Sequence, residues 1–319
     1  MRESDTHGTD PNLTRPSPDL ARPFVGIALL RAMRPKHWIK NLLVFAGFVF
    51  TLNERWKLFS PAMWEFLSRS AAAFVLFSLV SSSIYLLNDA VDVERDRQHP
   101  TKRNRPIASG ALSRMTAVIA ACVLMLGSLV AAWFLSPEFA AIVTGYVVMQ
   151  LGYVFFLKHV ALLDVFILAI GFVLRAFAGT AVLRVAISPW LFMVTLLGSL
   201  FLGFCKRRNE LVLLEAGAGH HRKVLKEYTP SLLDSLISIV ASSTIMAYSL
   251  YTFTSPKLPS NNRMMLTIPL VIFGMFRYVY LMHSKSAGGS PEEVFLTDKP
   301  LIATVVLWIA VAGVILTGR

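Results

Sequence analysis

The chain has 319 residues, 55% of them hydrophobic, with a mean hydropathy of +0.58. That is too apolar for an ordinary water-soluble domain. The net charge of +12 would suit a nucleic-acid binder in a soluble protein, but here the basic residues follow a membrane pattern, so no nucleic-acid partner is expected.

Residues 1–22 are polar and Pro-rich and lack the apolar stretch of a signal peptide. They are expected to form a disordered N-terminal tail. Residues 23–36 (PFVGIALLRAMRPK) read as a short amphipathic helix lying in the membrane interface. Nine apolar stretches follow, at roughly 37–54, 64–87, 113–135, 137–156, 160–183, 188–205, 230–254, 264–283 and 299–317. The expected architecture is all-α: one transmembrane domain over residues 23–319, with nine helices and a polar cavity facing the cytoplasm. With the N-terminus inside, the predicted cytoplasmic segments hold 22 Lys and Arg residues and the outer segments 6. Retention of basic residues on the cytoplasmic side produces this asymmetry. It predicts a multi-pass protein of the inner (plasma) membrane. Cys122 and Cys205 lie in apolar spans, and their spacing suggests neither a disulfide framework nor a zinc site.

The second span ends in YLLNDAVDVERDRQHPTKRNRPIASG, from Tyr85 to Gly110. On a helix, Asn88, Asp92, Asp96 and Asp89 fall within an arc of about 100°, and Glu94 points away. Clustered carboxylates repel one another, and a membrane boundary adds a desolvation cost. A divalent cation would remove both penalties, and oxygen-only ligands suit Mg²⁺ shared with substrate phosphates. The alternative is a solvated helix end with its acids paired to Arg95, Arg97 or Lys102. Pro100, Pro106 and Gly110 then impose a loop, which carries Lys102, Arg103 and Arg105. Cations beside a metal-binding face make a site for a polyanion, most simply a diphosphate. His99 is read as a loop residue.

In the fifth span Asp164, Leu168, Gly171 and Arg175 form one stripe. Asp164 is read either as a metal or ribose contact or as a residue that holds helices together, and Arg175 as one member of a structural pair. Tyr153 and Lys158 precede this stripe and are expected to face the site. At the end of the sixth span, Lys206, Asn209 and Glu210 share a helical face, while Arg207 and Arg208 point elsewhere, with a positive stop at the end of the span as the alternative to a substrate role for this cluster. Gly145, Gly152, Gly171, Gly179 and Gly203 are expected to let helices approach closely. Glu292, Glu293 and Asp298 could contact a sugar, or Asp298 could cap the ninth helix.

The motif NDAVDVERD, with the phrase HPTKRNRPIASG after it, resembles the signature of the UbiA superfamily of intramembrane prenyltransferases. The resemblance implies that Asn88, Asp92 and Asp96 hold Mg²⁺ on a diphosphate, with Asp89 as a supporting acid. Typical members carry a second Asp-rich motif on the sixth helix; here that position reads FLGFCKRRNELVLLE. Together with MRPKHWIKNLLVFA and SPEEVFLTDKP, it is similar to the decaprenyl-phosphate phosphoribosyltransferase branch. That likeness implies transfer of 5-phosphoribose from phosphoribosyl diphosphate (PRPP) to a long-chain polyprenyl phosphate, on the way to decaprenylphosphoryl arabinose for cell-wall polymers. Lys36, Lys40, Lys102, Arg103, Arg105 and Lys206 become candidates for the substrate phosphates. Tyr153, Lys158, Asp164 and Glu210 become candidates for further substrate contacts. The expected partners are PRPP, the polyprenyl phosphate and the lipid bilayer, with a homo-oligomer left open. The competing readings are a conventional prenyltransferase with a prenyl diphosphate donor and a non-enzymatic polyprenyl-phosphate carrier.

Overall fold

The computed structural model describes residues 25–186, 189–215, 223–255, 258–259, 261–284, 294 and 297–317. The tail at 1–22, Glu292 and Glu293 lie outside these. The described chain is helical and forms no strand. The helices are α1 (Val25–Met33), α2 (Ala46–Val49), α3 (Pro61–Val91), α4 (Val93–Gln98), α5 (Arg114–Leu135), α6 (Pro137–Phe155), α7 (Leu163–Val182), α8 (Pro189–Glu215), α9 (Pro230–Thr254), α10 (Ile268–Ser284) and α11 (Lys299–Thr317). Among the described residues, eight helices are long and apolar enough to cross a membrane.

Local chemistry fixes where three of them start. Helices α3, α6 and α9 begin with Ser60-Pro61, Ser136-Pro137 and Thr229-Pro230, and each hydroxyl accepts a hydrogen bond from an amide in the first turn. The proline at the next position needs no such partner. Helix α3 has 31 residues, about 46 Å at 1.5 Å per residue. The hydrocarbon core is only about 30 Å thick. The extra turns carry Asn88 and Asp89 beyond the apolar stretch, and α4 continues the run to Asp96. Helix α8, with 27 residues, extends Lys206 to Glu210 in the same way.

The first expected span, 37–54, is not a continuous α-helix. It is an eleven-residue 3₁₀ segment, Pro35–Phe45, followed by the four residues of α2. A 3₁₀ helix repeats every three residues, so positions i and i+3 eclipse. The buried face here has that period: Asn41, Val44 and Gly47. The segment runs alongside α3 in the opposite direction. Trp38 Nε1 donates to Ser82 Oγ at 3.0 Å and Asn41 Nδ2 to Ser78 Oγ at 3.0 Å. Further on it presses against α7. A Cβ on Gly179 would fall 1.8 Å from the Val44 carbonyl oxygen, and one on Gly47 would fall 2.9 Å from the Gly179 oxygen. Gly203 also needs its small size, against Val165, whereas Gly145 faces open space and does not support the close approach expected of it.

Arg175 is buried in this layer, but its expected pair is not an acid. Its Nε donates to Asn41 Oδ1 at 2.7 Å, and its remaining nitrogens to the Gly171 carbonyl at 2.7 Å and to Tyr146 Oη at 2.9 Å. The rings of Phe77, Tyr146 and Phe172 surround the guanidinium. The cation fastens the 3₁₀ segment to α6 and α7. Asp298 is placed as a cap: its Oδ1 accepts from the Leu301 amide at 3.0 Å, and its carboxylate pairs with Arg277 at 2.8 Å. Helix α1 has the expected amphipathic form. Ala28, Ala32 and Met33 pack against α3 and α5, and Val25, Ile27 and Leu30 are exposed.

Candidate active site at one end of the bundle

The acidic face forms at the end of α3 and along α4, where three cations from distant segments meet it. Asp89 is 2% exposed, and both its oxygens accept from Arg34 Nη2, at 2.7 and 2.8 Å. Arg105 Nη1 donates to Asp89 at 3.1 Å and to Asp96 at 2.7 Å, so one guanidinium bridges two carboxylates. Asp92 is held by Lys158, whose Nζ lies 2.9 Å from each oxygen. Glu94 points away, as its helical phase predicts, and pairs with Arg97 at 2.9 Å. Of the partners anticipated for a solvated helix end, Arg95 approaches Asp92, at 3.7 Å, and Arg97 pairs with Glu94.

The loop is built to deliver Arg105. Ile107 and Leu112 are buried in the core between α1, α3 and α5, and Gly110 has φ +82°, a conformation that suits glycine. These anchors turn Arg105 inward. Lys102 is half-buried and Arg103 exposed on the preceding 3₁₀ turn. His99 Nδ1 faces the Thr101 and Lys102 amides at 3.3 and 3.4 Å, the loop role expected of it. Across the site, Lys36 is exposed and Lys40 half-buried on the 3₁₀ segment. Lys158 sits on a 3₁₀ turn, Leu157–His159, between α6 and α7, with Tyr153 buried one turn earlier.

A second cluster forms where α8 passes the start of α7. Here the expectation for Arg207 fails. Its guanidinium is buried at 1% exposure; Nε donates to Asp164 Oδ2 at 2.6 Å and Nη1 to Glu210 Oε2 at 2.6 Å. Helical phase on α8 alone could not reveal this, because the partner that draws Arg207 inward lies on α7. Tyr228 Oη donates to Asp164 Oδ1 at 2.7 Å and accepts from the Leu162 amide at 2.7 Å. Burial, and then the hydrogen bond to Asp164, push the Tyr228 phenol above its ordinary range. Leu162 has φ +66°, strained for leucine, and the Tyr228 bond holds it there. Both oxygens of Asp164 thus have partners within the protein, on α8 and at Tyr228. Arg208 pairs with Asp234 on α9, which His283 on α10 also approaches at 3.3 Å. Lys206 and Asn209 are half-buried on α8.

Sequence reasoning missed Arg34, Arg207 and Tyr228 as site builders. One signal was present: a carboxylate inside a span, Asp164, demands a cation nearby.

Asn88, Asp92 and Asp96 recur every four residues along one side of α3 and α4, and their oxygen-only chemistry fits a hard divalent cation such as Mg²⁺. Among the described residues, no three acidic, His or Cys side chains converge as a ready-made metal cluster. The carboxylates are instead spread over Arg34, Arg105 and Lys158. Asp92 is the most open of the three acids, with a side chain 20% exposed against 2% for Asp89 and 6% for Asp96.

Residues 42–297 match the UbiA prenyltransferase family. The chain is 36% identical over 285 residues to decaprenyl-phosphate phosphoribosyltransferase of Mycobacterium tuberculosis, covering 89% of this chain and 93% of the relative. It is 38% identical over 299 residues to the protein of the same name from Mycolicibacterium smegmatis, covering 89% and 91%. In fold it is similar to a UbiA homolog from Archaeoglobus fulgidus bound to GPP and Mg²⁺, with a TM-score of 0.68 at 17% identity, covering 92% of this chain and 100% of that one. A structure of a UbiA homolog from the same organism bound to Cd²⁺ gives a TM-score of 0.63. The acidic motif at the end of α3, the helical bundle around it and these likenesses agree: the chain belongs to the UbiA prenyltransferase family.

Proposed function

We propose that this enzyme transfers 5-phosphoribose from PRPP to a long-chain polyprenyl phosphate and releases diphosphate. The names of the mycobacterial relatives support this reading, and one structural observation carries it. At the end of α8, Arg207 lies between Asp164 and Glu210, with Lys206 and Arg208 beside it. The acids at this end are already paired with Arg207, so direct phosphate binding by the neighbouring Lys206 suits it better than a further metal-bound diphosphate.

In this reaction the bond from ribose C1 to the diphosphate oxygen breaks, and an oxygen of the lipid phosphate forms a new bond to C1. The acceptor is already anionic at neutral pH, so no strong general base is needed. Positive charge develops on the ribose and negative charge on the leaving diphosphate. Mg²⁺, held by Asn88, Asp92 and Asp96, would neutralise the leaving group. Arg105, Lys158, Lys206, Lys102, Arg103, Lys36 and Lys40 supply cations for the donor diphosphate, the ribose 5-phosphate and the lipid phosphate. Tyr153, buried near the end of α6, is a further candidate for substrate contact. The basic loops favour an inner-membrane protein with this site in the cytoplasm. The product would feed decaprenylphosphoryl arabinose and cell-wall arabinan.

The test is to incubate purified protein with labelled PRPP, Mg²⁺ and polyprenyl phosphate and look for a labelled lipid. A lipid product dependent on all three is expected. Prenylation of an aromatic acceptor by geranyl or farnesyl diphosphate, with PRPP inert, would establish the conventional prenyltransferase reading instead. Binding of polyprenyl phosphate with no transfer from either donor would leave the carrier.

A further inference from the structure

The ion pairs of the site differ in how firmly they are closed. Arg207 and Asp164 are 1% and 0% exposed, and each has a further partner, so this pair is a fixed part of the packing. Arg105 bridges Asp89 and Asp96, and Asp89 is also held by Arg34. The pair between Lys158 and Asp92 is different. Its acid, Asp92, is more open than Asp89 or Asp96, at 20% against 2% and 6%, and among the described residues Lys158 pairs with no second carboxylate. The remaining neighbour of Asp92, Arg95, lies at 3.7 Å and is 67% exposed. Lys158 also sits on a short 3₁₀ turn flanked by exposed Phe155, Phe156 and Val160 rather than inside a helix. An ammonium on a four-carbon stem is a point charge that can turn toward another anion, whereas a guanidinium fork binds one geometry.

We propose that Lys158 is an exchangeable counter-ion: it neutralises Asp92 before substrate arrives, and it moves to a phosphate oxygen of the donor when a divalent cation takes Asp92. The inference rests on the functional reading above, which places the divalent cation on Asp92. Lys158 faces both carboxylate oxygens and so competes with any metal for them. A divalent ion carries twice its charge, and a polyanionic donor gives the displaced ammonium a new partner. Metal and donor would therefore favour each other's binding, with Lys158 as the link. The ammonium thus limits binding of the metal by itself and supports binding of the donor.

The experiment uses the full-length chain in detergent and Mn²⁺ as a spectroscopically visible probe. Mn²⁺ affinity is measured without any donor, by electron paramagnetic resonance, for the wild type, Lys158→Met and Lys158→Arg, with Asp92→Ala identifying the Asp92-dependent site. Lys158→Met keeps the length of the side chain and removes the competing charge. It should bind Mn²⁺ alone more tightly, by about tenfold if one charge-assisted contact is removed. Lys158→Arg, which can clamp Asp92 as a fork, should bind Mn²⁺ no better than the wild type. With Mn²⁺ saturating, Lys158→Met should bind PRPP about tenfold more weakly. Unchanged or weaker binding of Mn²⁺ alone by Lys158→Met would overturn the proposal, as would the absence of Asp92-dependent Mn²⁺ binding in every variant. The functional reading fails separately, if no labelled lipid forms from PRPP while the donor-free Mn²⁺ affinities behave as expected.

Discussion

Arg207 Nε donates to Asp164 Oδ2 at 2.6 Å, and the two side chains, from α8 and α7, are almost completely removed from solvent. A buried pair contributes little over a well-packed apolar pair, but breaking it leaves an uncompensated charge inside the protein. Arg207→Ala should therefore destabilise the chain by about 3–5 kcal/mol. Thermal unfolding in detergent is the measurement. The double variant Arg207→Met with Asp164→Leu should recover much of the loss. Wild-type stability in Arg207→Ala would return Arg207 to the role of a topology signal.

The contact between Gly179 and Val44 makes a sharper packing prediction. Gly179→Ala places a methyl group 1.8 Å from a backbone carbonyl, which has no rotamer with which to escape. The 3₁₀ segment would have to move off α7, straining the Arg175–Asn41 bond. Expression and thermal stability should fall sharply. Gly145→Ala is the control: nothing lies within 4 Å of its added carbon, and alanine is favoured in a helix by up to about 1 kcal/mol. Equal behaviour of the two variants would contradict the close approach.

Asp92→Ala and Asp96→Ala should each abolish transfer while the protein still folds. Asp96→Ala leaves Arg105 bound to Asp89, whereas Asp92→Ala leaves Lys158, whose side chain is 9% exposed, without its carboxylate, so a loss of stability short of unfolding is expected there. Activity at ordinary Mg²⁺, together with gel-filtration behaviour, checks this. Near-normal turnover in either variant would place the metal elsewhere.

Lys206→Ala should weaken the enzyme more than Arg208→Ala. Lys206 shares a face of α8 with Asn209 and Glu210. Arg208 is committed to Asp234, whose side chain is 37% exposed, and a surface pair of that kind is worth about 0–1 kcal/mol. Loss of a charge-assisted phosphate contact costs roughly 1.5–3 kcal/mol, or about 10- to 150-fold in kcat/KM. If the contact is present throughout, KM for PRPP rises; if it forms only as charge develops, kcat falls. Small and equal effects from both substitutions would leave phosphate binding to the loop at 102–105.

Much of the molecule is legible in the sequence because the relevant signals are local. Hydropathy marks the eight long helices, and Ser-Pro and Thr-Pro pairs mark where three of them begin. The 3.6-residue period puts Asp89, Asp92 and Asp96 together and Glu94 outside. Asp298 as a cap is one of the two readings that its place before α11 allows. What the sequence could not determine is which cation meets which acid. Arg34 with Asp89, Lys158 with Asp92 and Arg207 with Asp164 are separated by 55, 66 and 43 residues. Each pairing depends on how whole helices lie against one another, and helical phase measured on α8 alone turned Arg207 the wrong way. The 3₁₀ form of Pro35–Phe45 is likewise a tertiary decision. Hydropathy asks only for an apolar crossing, whereas Ser82, Ser78 and Gly179 on the neighbouring helices meet Trp38, Asn41 and Val44, which lie three residues apart along the segment, and so select the tighter winding.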